Sequence, residues 1–338
     1  MTNRINMDEN QRPWIDAVYG NPIMQADRFP HYCSQQTSKS LLYTIDPFPP
    51  YEENVANYVE WVQRMKLPSC VRIVVAEGGS TQLVSAFYWA VSQMLQRDIT
   101  ASSSIAPPYY TLHSEAARLV KGVEWIDYPA QGDVLVIVSP NNPNGIVQSW
   151  NPTYSTSFVL LDSVYDREQF TNRPTVNEWK YDQYCSDRFC EINSYSKNGL
   201  AGARVGYALI SNAILYEFMV TYIQLSSLGT GTVAFQTIFL NTPYPLLCHP
   251  FNRSLYATFQ ERHAKIRRLF PPDRILSQTT YAPFLFVSYP PALFETVRVR
   301  VRSGLAFATS ALDSRISLMI SDVDFSKMCK RIASLHLV

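Results

Sequence analysis

The chain has 338 residues, 46% of them hydrophobic and 17% charged, enough to bury a large domain core with a smaller one beside it. A formal net charge of +1 gives no electrostatic pointer to nucleic acid or an anionic membrane, and neither is expected as a partner. No stretch approaches the roughly 20 consecutive apolar residues of a membrane helix.

The first six residues carry no apolar h-region, so no signal peptide is expected. Residues 1–50 are polar, aromatic and proline-containing, and read as an N-terminal arm (1–45) rather than a core element. The helix-like segment Glu52–Met65 has apolar residues on more than one face, which suits burial between subunits. Strands and helices then alternate. Val71–Ala76 reads as a strand and Ser80–Gln96 as a helix with Leu83, Val84, Phe87, Val91, Met94 and Leu95 along one face. Val134–Val138 is a continuous apolar run, as expected for a strand buried on both faces. Phe158–Leu161, Ile192–Tyr195 and Val205–Ile210 are further strands. This alternation predicts an α/β fold, a mostly parallel sheet with helices on both faces, over residues 46–225. After about residue 225 prolines interrupt the pattern. A helix around Tyr256–Leu269 and strands at Phe284–Ser288 and Val297–Val301 predict a smaller α+β domain over 226–338. The alternating run Arg298-Val299-Arg300-Val301-Arg302 reads as one strand with a solvated basic face. Cys33, Cys70, Cys185, Cys190, Cys248 and Cys329 form no C-x-x-C pair. Neither a disulfide framework nor a metal site is expected, and the reducing cytoplasm is the default location.

Open parallel sheets bind ligands at the carboxyl ends of their strands, and the polar punctuation falls there. Gly79-Ser80-Thr81 opens a long helix, where backbone amides and two hydroxyls can bind a phosphate; alone, it reads as an ordinary helix cap. Ser139-Pro140-Asn141-Asn142-Pro143-Asn144-Gly145 is, alone, a turn. Asp162 ends a buried strand, where a carboxylate needs a partner such as a protonated ring nitrogen. Tyr165 could reach the same ligand. Lys197 follows Ser194-Tyr195-Ser196 and could form a Schiff base if desolvation holds its pKa down. Each signal is weak by itself; their order along one sheet edge gives the combination its weight.

Together these residues resemble fold-type-I pyridoxal-phosphate (PLP) enzymes of the aminotransferase superfamily, in the branch of alliinase and the plant tryptophan aminotransferases. The resemblance runs from about Gly20 to Leu335. It is carried by G-S-T-Q-L at Gly79–Leu83, S-P-N-N-P-N-G at Ser139–Gly145, S-Y-S-K at Ser194–Lys197, G-L-A-G-A-R-V-G-Y at Gly199–Tyr207 and S-R-I-S-L at Ser314–Leu318. It implies pyridoxal 5′-phosphate as cofactor, with Lys197 as the covalent anchor and proton carrier. Asp162 would pair with the pyridine nitrogen. Asn142 and Tyr165 would hydrogen-bond the ring hydroxyl oxygen, and Tyr110, with Tyr109 as the alternative, would stack on the ring. Gly79, Ser80, Thr81, Ser194 and Arg204 would hold the phosphate. Arg315 would bind the substrate α-carboxylate, with Asn21 in Gly20-Asn21-Pro22 beside it. The resemblance also implies a homodimer lending Tyr43 across the interface. One departure is that Lys197 and Arg204 are seven apart, one fewer than is usual in the family.

The implied function is an aminotransferase exchanging an amino acid and a keto acid. An alliinase-like β-eliminating lyase and a non-catalytic PLP-binding protein are the alternatives. Retention of Lys197, Asp162 and Arg315 argues against the last. The aromatic arm, with Trp14, Tyr19, Phe29, Tyr32 and Tyr43, suggests an aromatic or apolar amino donor. Equally, those rings could simply pack the arm onto the domain.

Overall fold

A computed structural model describes residues 13–18, 55–57, 59–60, 65–76, 78–166, 175–197, 205–226 and 244–338, with side chains in the last stretch from Leu255 onward. In chain order the elements that matter are β1 (Ile15–Asp16), β2 (Arg72–Ala76), α1 (Ser80–Leu95), β3 (Ile99–Ser103), α2 (Leu112–Leu119), β4 (Val123–Ile126), β5 (Val134–Val138), β6 (Phe158–Asp162), β7 (Phe189–Ser194), β8 (Gly206–Ile210), α3 (Ala213–Leu225), α4 (Tyr244–Ile266), β9 (Phe284–Val287), β10 (Val299–Arg300), β11 (Arg302–Ser303), β12 (Ser314–Ser317) and α5 (Asp322–Ala333).

The central sheet has seven strands in the order β2-β8-β7-β6-β5-β3-β4. Every neighbouring pair is parallel except those of β8, which runs against both β2 and β7. The apolar runs of β5 and β6 are buried throughout, as strands covered on both faces must be. On one face α1 lays Leu83, Val84, Phe87 and Val91 into a core shared with Leu215, Met219 and Ile223 of α3. On the other face Ile73, Val75, Leu161 and Leu209 meet Val55, Val59 and Tyr184. Met94 and Leu95 are only partly buried, at the end where α1 leaves the sheet.

The smaller sheet, β11-β12-β9, is antiparallel and packs on α4 and α5 through Phe259, Phe284, Ile316, Phe325 and Met328.

Three expectations need correction. The arm is not wholly outside the core, because Ile15 and Ala17 are buried and β1 pairs in parallel with β10. Trp14 stacks under Arg298 and Arg300, with its centroid 5.7 and 4.9 Å from their guanidinium carbons. The Arg298–Arg302 run is not one strand. Arg298 sits at φ 58°, and the chain then changes partners at Val301, with β10 joining β1 and β11 joining β12. Finally, Cys70 and Cys185 form a disulfide with Cα atoms 6.0 Å apart. It links the leading ends of β2 and β7 across the intervening β8. A bond of this kind persists in oxidising surroundings, so the structure lends no weight to a reducing location. Among the described residues Cys190 and Cys329 are free thiols and no group of ligands could hold a metal ion. No described helix is long and apolar enough to cross a membrane.

Candidate active site

The carboxyl ends of β2, β5, β6 and β7 converge on one cleft edge, and the small sheet closes it from the other side. At the end of β2 the backbone turns through Gly79, at φ 72°, a left-handed conformation natural to glycine. α1 starts at Ser80. Gly206, the first residue of β8, lies directly beneath this turn. A Cβ there would stand 2.6 Å from the Gly79 carbonyl carbon and 2.7 Å from the Ser80 nitrogen. The first amides of α1, with Ser80 and Thr81, are thus offered to an anion at the positive end of the helix. Gln82 serves the turn instead, its Oε1 accepting from the Gly78 N–H at 2.8 Å.

Ser194 ends β7 beside Gly206. Its hydroxyl donates to the Val205 carbonyl at 3.3 Å and accepts from the Ser196 N–H at 3.1 Å. The Ser196 hydroxyl is buried and has no hydrogen-bond partner among the described residues. Buried hydroxyls are normally satisfied, so this orphan, beside a helix start and a glycine that lets two backbones meet, fits a phosphate-bearing ligand. Ser196 was not singled out in the sequence; the second hydroxyl of S-Y-S-K was its one available signal.

Asp162 is 3% exposed at the end of β6. One oxygen accepts from the Val164 N–H at 3.2 Å, and the other lies 3.0 Å from Nε2 of His113. With Asp162 ionised, that ring nitrogen donates. His113 is 1% exposed on α2, and its Nδ1 has no partner among the described residues. The sequence reading left Asp162 to find its partner in a ligand and missed His113, a lone histidine 49 positions away. Behind β6, Ser163 and Tyr184 donate to Glu191, which is ion-paired with Lys180 at 3.0 Å, both side chains being almost wholly buried. This network fixes the backbone immediately after Asp162.

Tyr165 follows, its ring edge-on to Phe284 of β9 at 5.1 Å. Burial pushes its phenol up to about 12, Arg315 opposing and Asp162 adding. Lys197 closes a short 3₁₀ turn after β7, with Nζ 5.7 Å from the Tyr165 ring centroid. Tyr110 lies edge-on to His113 at 6.1 Å. Burial raises its phenol most; Tyr165 adds to that, and Lys197 and Arg315 oppose it. Tyr109 packs on Trp125 instead, at 5.7 Å. Of the two candidates, Tyr110 is therefore the one among the site residues.

Arg315 on β12 is buried, with Phe284 and Phe307 flanking its guanidinium at 5.5 and 5.0 Å. Nη1 donates to Oδ1 of Asn142 at 3.0 Å and Nη2 to the Val18 carbonyl at 2.9 Å. Nε of Arg315 and Nδ2 of Asn142 have no partner among the described residues. Two buried donors side by side fit an acceptor-rich ligand such as a carboxylate. The Asn142 turn is held from the small sheet by the Gln278 N–H, which donates to the Asn144 carbonyl at 2.8 Å.

Asn21, Tyr43 and Arg204 lie outside the described residues. Of the other residues singled out in the sequence, Gly79, Ser80, Thr81 and Ser194 meet at one pole of the cleft, Asp162, Tyr110, Tyr165 and Lys197 at its centre, and Asn142 and Arg315 toward the small sheet.

Residues 70–239, half of the chain, match the family model described as allinase. Tryptophan aminotransferase-related proteins 2 and 3 of Arabidopsis thaliana are 26% and 28% identical over 169 and 175 residues, 47% of this chain and 36% of each relative. The match therefore spans about a third of those relatives' length. The Pyrococcus horikoshii kynurenine aminotransferase, solved with PMP, superimposes with a TM-score of 0.69 at 15% identity, covering 97% of this chain and 91% of that one. The chain belongs to the alliinase family, within the fold-type-I PLP-dependent aminotransferase superfamily, and its cofactor is pyridoxal 5′-phosphate.

Proposed function

We propose that the protein is an aminotransferase that takes the amino group from an aromatic or apolar α-amino acid and gives it to a 2-oxo acid, acting as a homodimer. The observation that carries this reading is the 3.0 Å hydrogen bond between Arg315 and Asn142. It sets a buried two-pronged cation beside Asn142, the residue this reading assigns to the cofactor ring, so an α-carboxylate held on Arg315 would present its α-carbon to the cofactor.

The bound cofactor supplies an electron sink for the α-carbon. The rest falls to the chain. Gly79, Ser80, Thr81, Ser194 and Arg204 would hold the phosphate, and Ser196 would add a hydroxyl. Asp162 keeps the pyridine nitrogen protonated, and His113 positions that carboxylate. Asn142 and Tyr165 would hydrogen-bond the ring hydroxyl oxygen, and Tyr110 would stack on the ring. Lys197 would anchor the cofactor through Nζ, and its amine would move the proton at the substrate α-carbon. Asn21 would bind beside the carboxylate, as the family resemblance implies. Tyr43 from the neighbouring subunit would contribute to the phosphate site, as the family resemblance implies.

An absorbance scan of the purified holoprotein against a panel of amino acids tests the reading. Aromatic and apolar amino acids should bleach the long-wavelength cofactor band and release the matching 2-oxo acid in stoichiometric amount. Release of pyruvate and ammonia instead would make it a β-eliminating lyase. No spectral response to any amino acid would defeat both. Sedimentation tests the dimer, which a fully active monomer would refute.

A further inference from the structure

Past β5 and β6 the chain enters two turns that carry site residues. The last rung of the ladder between these strands is the Ser139 N–H, which donates to the Asp162 carbonyl at 3.1 Å. Beyond it one turn runs to Asn142 and the other to Tyr165, and among the described residues no backbone hydrogen bond joins the two. The side chain of Asn177 joins them instead. Its Oδ1 accepts from the Ser139 hydroxyl at 2.6 Å, while its Nδ2 donates to the Ser139 carbonyl at 2.7 Å and to the Asp166 carboxylate at 2.6 Å. Ser139 stands three residues before Asn142, and Asp166 directly follows Tyr165.

The tie is held from both ends. The Asp166 oxygen that receives Asn177 also accepts from the Thr175 hydroxyl, and its other oxygen accepts from the Val176 N–H at 2.9 Å. The Asn177 N–H donates to the Thr175 hydroxyl oxygen at 2.9 Å, and the Gln148 N–H donates to that of Ser139 at 3.0 Å. Ser139, Asp166 and Asn177 are wholly buried, so a bond lost among them leaves a desolvated group unsatisfied. Asn177 has both amide hydrogens and its carbonyl oxygen committed and presents no surface to the cleft.

We propose that Asn177 is a positioning residue for the cofactor ring, fixing the separation of the two turns so that Nδ2 of Asn142 and the Tyr165 hydroxyl converge on one oxygen. This rests on the assignment of those two residues to the ring hydroxyl oxygen. A hydrogen bond tolerates only about 0.5 Å of drift in donor–acceptor distance, and two donors on one acceptor must both keep within it. Both donors draw charge from the ring oxygen and so favour loss of the proton held on the neighbouring nitrogen, the one that links Lys197 to the cofactor. The pH at which the long-wavelength cofactor band gives way therefore reads how well the two donors are aligned. Asp162, His113, Lys197 and Arg315 are unaltered in every variant below.

Asn177→Ala should raise that midpoint by at least about half a pH unit, about threefold in the proton equilibrium. Ser139→Ala removes one of the three side-chain bonds of Asn177 and should raise it by less. Asn212→Ala is the control. Asn212 is also buried, and its side chain bonds the N–H groups of Ile214 and Leu215 and the Asp187 carbonyl at the leading end of β7, away from the cleft. It should lower the melting temperature and leave the midpoint alone, as any asparagine with a purely structural role would. An unchanged midpoint in Asn177→Ala, or an equal rise in Asn212→Ala, overturns the proposal. Should Asn177→Ala fail to fold, Ser139→Ala decides by the same measurement, and a wild-type midpoint there overturns it. Tyr165→Phe separates the two readings. An unmoved midpoint in Tyr165→Phe defeats the ring-oxygen assignment and this inference with it; a rise there with none in Asn177→Ala defeats this inference alone.

Discussion

Gly206→Ala isolates the meeting of β8 with the α1 turn. The added methyl would lie 2.6 Å from the Gly79 carbonyl carbon, 2.7 Å from the Ser80 nitrogen and 3.0 Å from the Gly79 Cα. Comfortable contact needs about 3.5–4.0 Å, and all three neighbours are backbone, which cannot swing aside as a side-chain tip can. The turn must move by nearly 1 Å or the strand must yield. Overpacking of this kind costs about 1–3 kcal/mol of stability. Because the Ser80 amide opens the turn proposed to hold the cofactor phosphate, one or two charge-assisted contacts to that phosphate should also be lost, about 1.5–3 kcal/mol each, or at least about tenfold in PLP affinity. Gly132→Ala is the control: its methyl would lie 2.8 Å from the Thr100 carbonyl oxygen, an equally tight spot far from the cleft. Urea unfolding should show both variants weakened, while absorbance titration of the apoprotein with PLP should show weaker binding in Gly206→Ala alone. Wild-type PLP affinity in Gly206→Ala, or equal losses in both, would refute the reasoning.

Lys197→Ala should abolish turnover and the borohydride-fixable cofactor link, as mass spectrometry would read; fixation on a different lysine would reassign the anchor. Lys180→Met strands the Glu191 carboxylate in the core and should cost about 3–5 kcal/mol in urea unfolding, whereas a loss under about 1 kcal/mol would mean that Ser163 and Tyr184 suffice to hold Glu191. For Tyr165 the folded phenol, at about 12 against an ordinary 10.0, keeps its proton more tightly than the unfolded chain does. Its contribution is complete below about pH 10 and falls away between about pH 10 and 12, by about 2.7 kcal/mol in total. Unfolding of wild type and Tyr165→Phe compared from pH 9 to 11.5 should show the steeper decline in wild type; parallel curves would argue against burial as the cause.

How much of this was readable in advance depended on how locally each feature is encoded. The apolar run of β5 and the stripe on α1 carry their own periodicity, so strand and helix followed directly. β3, Ile-Thr-Ala-Ser-Ser, passed unnoticed because small hydroxylated residues resemble a loop. In the fold its hydroxyls are absorbed, Ser102 accepting from the Gly132 N–H at 3.0 Å. The residues that follow buried strands, Asp162 and Lys197, announced themselves by position. His113, the Arg315–Asn142 hydrogen bond across 173 positions and the tie from Asn177 to Ser139 and Asp166 have no sequence periodicity at all; each exists only once the chain has folded back on itself. The Arg298–Arg302 alternation was misleading for a related reason: period two reports a strand-like backbone but not which sheet it joins.

The Cys70–Cys185 bond makes the stretch between its two ends a covalent ring. That ring contains Gly79, Ser80, Thr81, Asn142, Asp162 and Tyr165; Lys197 and Arg315 lie downstream of it. A protease that clips after Arg97, whose side chain is 54% exposed, opens the ring without dividing the molecule. The two pieces stay tethered, run as one species on a non-reducing gel and part only when a thiol is added. A nicked chain of this kind keeps the turn at Gly79 and the strands β5 and β6 on one connected skeleton, so wear at a surface loop need not scatter the residues of the cleft.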